Sequence, residues 1–287
     1  MSSLAGVLLC LAAALPARAA GEDASPLLAK AVAAFERNRE HEKQWNWTIT
    51  ETRYLADKPG KTVETFPTVQ SESVILGNGR RCNAVTSWGD GHAAYLKDAD
   101  PDDRCQAYNA IGTPFQVAPL LKGSNARVTA RSAQAVTIEV SPDKSRQKGG
   151  DYNWNCAASI EASIPLDPDT WFPLRIEGRV VGSGCDASFT PVMHDTPIMR
   201  APMFTNFRKG STFRVVYKLQ KDRFDNPANS FWITTEQHYD QPVGEDLTVL
   251  YYWGRQFRIR TMAGRRLMKD ITTTAQELGA GSRMTFQ

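Results

Sequence analysis

The side chains able to do chemistry in this sequence are scattered, and their spacing builds no catalytic motif. The four histidines, His41, His92, His194 and His238, lie far apart. None has the H-E-x-x-H spacing that sets two imidazoles on one helix face over a zinc ion. His194 stands beside Asp195, and a carboxylate can orient an imidazole, but no nucleophile motif lies nearby. Ser141-Pro142-Asp143-Lys144 meets S-x-x-K by count, yet a proline directly after the serine reads as a turn. Gly182-Ser183-Gly184 lacks the outer residues of a nucleophile elbow and reads as a turn beside Cys185. Asp98, Asp100, Asp102 and Asp103 gather the hard oxygens that calcium prefers, without the glycine and terminal glutamate of an EF-hand loop. A solvated acidic loop is the expectation there. No catalytic residue, metal ligand or cofactor is assigned.

The chain opens with an export signal. Leu4 to Leu15 is almost wholly apolar and runs into Pro16 and the small-residue stretch Ala17-Arg18-Ala19-Ala20. That is an h-region with an A-x-A cleavage site, which makes residues 1–19 a signal peptide and residues 20–287 the mature chain. The apolar run is shorter than the roughly 20 residues a membrane span needs. No Lys or Arg precedes it, so the translation start stays open. Cys10 follows Leu9 rather than the small residue that lipid modification requires. A periplasmic or secreted location follows.

Removal of that segment leaves four of the five cysteines, Cys82, Cys105, Cys156 and Cys185. An even number in an exported chain reads as two disulfides. Three pairings are possible. Cys156 and Cys185 flank a hairpin centred near Pro168, and Cys82 and Cys105 flank a loop-rich insert, which favours those two local pairs. Each closed loop stabilises by roughly 3 kcal/mol, mainly by restricting the unfolded chain. Zinc is a poor alternative, since no C-x-x-C pair or neighbouring histidine is present.

The hydrophobic fraction of 41%, with 7 Trp, 8 Tyr and 12 Phe, supports a sizeable core. A formal charge of +3 without a long basic run gives no grounds for a nucleic-acid partner.

The elements follow from periodicity. Ser25-Pro26 opens a helix, Ser as N-cap and Pro at the first helical position. Leu27, Leu28, Ala31, Val32 and Phe35 share one face, and the helix ends near Gln44. The period then changes to 2. Trp45, Trp47 and Ile49 begin a strand that runs to about Leu55. Residues 62–76 form a second, Gly77-Asn78-Gly79 a tight turn, and Cys82, Ala84, Thr86 and Trp88 one face of a third. Short helices are expected around 103–110 and 114–122. Strands resume at 136–140, from Cys156 through Ile164, at 174–180, 213–219, 231–239, 247–253 and 257–261, with a last short strand after Gly264. About ten strands in hairpin-like order, alternating apolar with polar, make an antiparallel sheet with one dry face. No repeat or linker divides the mature chain, so residues 20–287 are expected to be one domain.

Two segments carry a resemblance. The strand WNWTITETRY (residues 45–54) follows the first helix, and SIPLDPDTWFPLRIEGRV (163–180) forms a "strand, D-P-x-T, x-P-L-R-I-E, strand" hairpin. With the order of elements, these resemble the lipoprotein-carrier superfamily of the bacterial envelope, which includes the LolA and LolB carriers and related stress-sensing proteins. The resemblance implies a mainly β (α+β) fold: a curved antiparallel half-barrel with the N-terminal helix and the helical insert covering its concave face. It also implies binding of acyl chains or lipidated peptides there. No functional residue of that family is carried over.

Trp45, Trp47, Phe115, Leu120, Leu121, Phe213, Tyr217, Tyr251 and Trp253 are the candidate lining of such a concave face, since ligand pockets are concave and mainly apolar. Ordinary core packing is the competing use of the same residues. Arg255, Arg258, Arg260, Arg265, Arg266 and Lys269 make the C-terminal strands basic. They form either a solvated outer face or a contact surface for anionic headgroups or an acidic partner. The expected function is that of a non-enzymatic carrier for a lipid-like or lipidated ligand, with at most peripheral membrane contact. An envelope protein-interaction or stress-sensing module is the first alternative, and a hydrolase assembled only in space the second.

Overall fold

The computed structural model of the chain describes residues 22–41, 44–58, 61–65, 68–75, 81–88, 105–106, 120–121, 125–146, 156–183, 209–222, 224–225, 230–242, 248–252, 255–259 and 266–277. The expected signal peptide, the glycine turn at 77–79, the acidic loop at 97–103, His92, Phe115, Cys185, His194 and Trp253 lie outside them. Described are one helix, α1 (Ser25–His41), and the strands β1 (Glu22–Asp23), β2 (Trp45–Lys58), β3 (Lys61–Thr65), β4 (Val69–Ile75), β5 (Arg81–Trp88), β6 (Cys105–Gln106), β7 (Asn125–Arg131) and β8 (Val136–Ser141). The second half of the chain adds β9 (Ile160–Leu166), β10 (Arg175–Val180), β11 (Thr212–Gln220), β12 (Phe231–Pro242), β13 (Thr248–Tyr252), β14 (Arg255–Ile259) and β15 (Arg266–Glu277).

Thirteen of these strands form one antiparallel sheet in the order β1-β7-β8-β9-β10-β11-β12-β15-β2-β4-β5-β6, with β3 paired to β2. β13 and β14 form a separate two-stranded ribbon. The sheet is open, as expected, but its strands outnumber the ten read from periodicity. The range 62–76 splits into β3, ending at Thr65, and β4, starting at Val69. β1 and β6 hold two residues each, too few for a period to show. β6 also replaces part of the helix expected at 103–110, because Cys105 and Gln106 pair with Ala84 and Asn83.

Three further corrections have local causes. The helix cap is not Ser25: Ala24 O accepts the Leu28 N–H at 2.9 Å, so the cap position is Ala24. Asp23 Oδ1 takes the Ser25 N–H at 3.0 Å and its hydroxyl at 2.7 Å, setting a carboxylate at the positive helix end. Cys156 and Ala157 are helical and Ala158 and Ser159 form a turn, so β9 begins only at Ile160. The last strand is twelve residues long and central, inserted between β12 and β2. Its sequence RLMKDITTTAQE is polar on both faces, which erased the alternation that would have announced it.

Opposed residues in an antiparallel ladder share a face, so register traces one face across the sheet. Val140, Ala162, Gly178, Phe213, Tyr239 and Lys269 are successive partners from β8 to β15. The next row runs Val215, Gln237, Ile271, Glu51, Val69. The β8–β11 part of this face is apolar and carries the main core, in which Ile138, Ile160, Ile164, Leu166, Ile176 and Val215 are fully buried. α1 packs on it through Leu27, Leu28, Ala31, Val32, Ala34 and Phe35, joined by the fully buried Leu120 and Leu121. Leu120 and Leu121 are helical, so this end of the expected 114–122 cover does reach the dry face.

Candidate ligand-binding face

The hairpin that carried the family resemblance is a plug. Asp167 Oδ1 accepts the Thr170 N–H at 2.7 Å, the Thr170 hydroxyl at 2.8 Å and the Asp169 N–H at 3.1 Å. This holds Trp171 at φ 62°, a conformation that bulky side chains rarely adopt. The turn drives Phe172 inward, where it meets Phe35 at 4.5 Å, Trp232 at 5.2 Å and Tyr217 at 5.4 Å between ring centroids. Gly178 is required nearby, since a Cβ there would stand 2.5 Å from the Phe213 ring and 2.9 Å from Glu161 O.

α1 is tied to the sheet at its far end by Asn38. Its Nδ2 donates to Trp232 O at 2.8 Å and its Oδ1 accepts the Trp232 N–H at 2.7 Å, as a neighbouring strand would. β12 pairs with β15 only from Glu236 onward, so this stretch of backbone is supplied by the helix instead. At the same level a register shift between Val216 and Tyr217 opposes Tyr217 to Thr234. Beyond it Phe231 and Ile233 alternate with Trp232 and pack with Trp45 and Trp47 in a second cluster. Phe231 stacks on Trp45 at 6.3 Å and on Trp47 at 6.4 Å.

The candidate lining residues therefore divide. Phe213, Tyr217, Leu120 and Leu121 belong to the main core, and Trp45 and Trp47 to the second cluster, all of them buried. Tyr251 lies in β13, in the separate ribbon. Phe115 and Trp253 are outside the described residues. Cys156 is buried and disulfide-bonded, but its partner is not among the described side chains, so both pairings stay expectations.

Where β12, β15 and β2 meet, the same buried face turns polar. Tyr239 donates to Gln237 Oε1 at 2.6 Å, and Gln237 Nε2 donates to Thr234 Oγ1 at 3.3 Å. Lys269 Nζ lies 4.9 Å from the Tyr239 ring centroid and 4.0 Å from Glu51 Oε2. Burial, the Tyr217 phenol and Glu51 hold Tyr239 well above the usual tyrosine range. Burial alone raises Tyr217. Sequence reading named Lys269 only as part of a basic face and missed its link to Glu51 and Gln237, which the cross-strand register alone makes.

The opposite face of the sheet carries charged pairs from β9 to β15. His238 Nδ1 and Asp270 Oδ1 stand 2.6 Å apart, Arg266 Nε donates to Asp240 at 2.5 Å, and Arg179 pairs with Glu161 at 2.6 Å. Tyr54 bonds Asp270 and is pushed up to about 12, first by burial and then by that bond and the nearby acidic charges. A half-open depression of about 250 Å³ is lined by Arg214, Glu236, His238, Asp270 and Thr272, with Gln237 and Ile271. A carboxylate-oriented imidazole suits a general base, but Thr272 is the one hydroxyl among these linings. The expected basic C-terminal face is corrected in part: Arg266 and Lys269 point to opposite faces, each beside an acid. Arg260 and Arg265 are outside the described residues. Ser141 donates to Asn125 O at 3.4 Å and Asp143 caps Ser145, so S-P-D-K is a turn. Among the described residues no group of three His, Cys, Asp or Glu could hold a metal ion, and no helix is long and apolar enough to cross a membrane.

No family model and no curated protein matches the chain. Solved structures do. Its structural neighbours are LolA-superfamily and DUF1329 proteins. A DUF1329 family protein from Desulfovibrio piger is 10% identical at TM-score 0.32, covering 88% of this chain and 95% of that one. A putative outer membrane lipoprotein-sorting protein domain from Vibrio parahaemolyticus is 8% identical at TM-score 0.35, with coverage of 90% and 95%. A LolA superfamily protein from Nitrosomonas europaea is 8% identical at TM-score 0.31, with coverage of 92% and 98%. The described residues themselves form a mostly antiparallel, open sheet with one α-helix.

Proposed function

We propose that the protein is a periplasmic, non-enzymatic carrier that holds a lipid-like or lipidated ligand on the buried face of its sheet. One observation carries the reading: the buried face of the sheet extends well beyond the one α-helix described on it. The 17 residues of α1 span about 26 Å. Twelve hydrogen-bonded strands in sequence spread over about 50 Å. The helix sits against β7 and β12, and the dry face continues past it onto β15, β2 and β4, where Trp47, Leu55, Val69 and Ile271 are buried. Those residues are already shielded from water within the chain, and a chain-like amphiphile enters beside the Trp45–Trp47–Phe231 cluster by displacing part of that shielding. The polar seam at Tyr239, Lys269 and Glu51 then meets its less apolar end.

The test is compositional. Protein purified without detergent from the envelope should release close to one equivalent of acyl material per chain on solvent extraction. Release of none, together with failure to take up an apolar fluorophore, would remove the carrier assignment. The exposed charged pairs favour a protein partner as the second reading. In that case Arg214→Glu abolishes capture of the partner while acyl content stays unchanged.

A further inference from the structure

Among the described residues four buried polar side-chain atoms have no hydrogen-bond partner, and the register sets two of them next to each other. Ser211 Oγ and Gln241 Nε2 are both sequestered and unpaired. Ser211 is 0% exposed and Gln241 6%. The β11–β12 ladder ends at Thr212 opposite Asp240, so the next step sets Ser211 against Gln241. The neighbouring pair agrees: a Cβ on Gly210 would lie 3.8 Å from Pro242 Cγ. Their face is that of Phe213 and Tyr239, because side chains two apart on a strand point the same way. Across β15, Gln241 is opposite Leu267, two residues before Lys269.

The surroundings define what these groups can take. Leu267 is 7% exposed, Phe213 3% and Leu55 1%, so the neighbourhood is apolar. Lys269 is beside Glu51, so no full positive charge awaits an anion there. An amide N–H and a hydroxyl side by side present two donors to one oxygen. Left buried and unpaired they are costly, and pairing them recovers that cost. A neutral acceptor on an otherwise apolar molecule matches such a site.

We infer that Ser211 and Gln241 form a subsite for the carbonyl oxygen at the head of an acyl chain, in an ester or an amide. The inference rests on the carrier assignment and adds to it the chemistry of the ligand's polar end. Specificity of this kind arises because a site built to hydrogen-bond rejects the analogue that lacks the group.

The experiment is displacement of a bound apolar fluorophore from the full mature chain by three probes of matched length: methyl dodecanoate, N-methyldodecanamide and tetradecane. The ester, the amide or both should displace at about tenfold lower concentration than the alkane, and whichever leads identifies the linkage. Ser211→Ala/Gln241→Leu should erase that preference while leaving tetradecane unchanged, a control for folding. Equal displacement by all three probes from the wild type overturns the subsite and leaves the carrier standing. Retention of the preference in the double variant overturns it as well, assigning the discrimination elsewhere. Displacement by none of the probes removes the carrier assignment itself.

Discussion

The buried face over β8–β11 and its continuation over β12, β15 and β2 belong to one sheet, yet they are built by different rules. The first is filled with Ile, Leu, Val and Phe and closed by α1. The second carries Gln237, Tyr239, Lys269 and Glu51 on the same rows of the ladder. An apolar face gains stability from every group it excludes from water, whereas a polar one gains almost nothing net and instead fixes what can pair with it. The contrast separates an apolar half that holds the fold from a polar half that the proposed ligand would meet.

The largest effect should come from breaking the first region. Phe172→Ala empties the space between Phe35, Tyr217 and Trp232 and should cost about 3–5 kcal/mol in urea unfolding. A loss under about 1 kcal/mol would mean that the plug is not part of the core. The seam should behave oppositely. Replacing its ion pair outright, Glu51→Leu with Lys269→Met, should change stability by less than about 1 kcal/mol or raise it. A loss as large as that of Phe172→Ala would erase the distinction between the halves.

The smallest effect lies behind the seam and is set by pH. The Tyr54 phenol is pushed up to about 12 from 10.0. A raised tyrosine favours the neutral form in the fold, so its contribution is complete below pH 10 and fades as pH climbs toward about 12. Ultraviolet titration should show a late-ionising tyrosine that Tyr54→Phe removes. An unchanged curve in that variant would place the late group elsewhere.

How much of this was legible beforehand depended on whether the cause was local. The α1 face, the strand at Trp45 and the hairpin at Asp167 were readable because periodicity and turn chemistry act over a few residues. Trp45, Trp47, Phe213 and Tyr217 were read as candidate lining with core packing as the competing use; they are buried, and their division between two clusters, which follows from the register shift at Val216, was not readable. β15 was misjudged because Thr272, Thr273 and Thr274 mask its alternation. The polar seam was invisible, since Glu51 and Lys269 come from the first and last long strands of the sheet and meet only through pairing.

The most direct test of this division is amide hydrogen exchange on the protein with and without methyl dodecanoate. Added protection should concentrate in peptides spanning 45–56, 237–242 and 266–272, leaving 136–141 and 160–166 unchanged. Protection confined to the β8–β9 hairpin, or none anywhere at a saturating concentration, would contradict it.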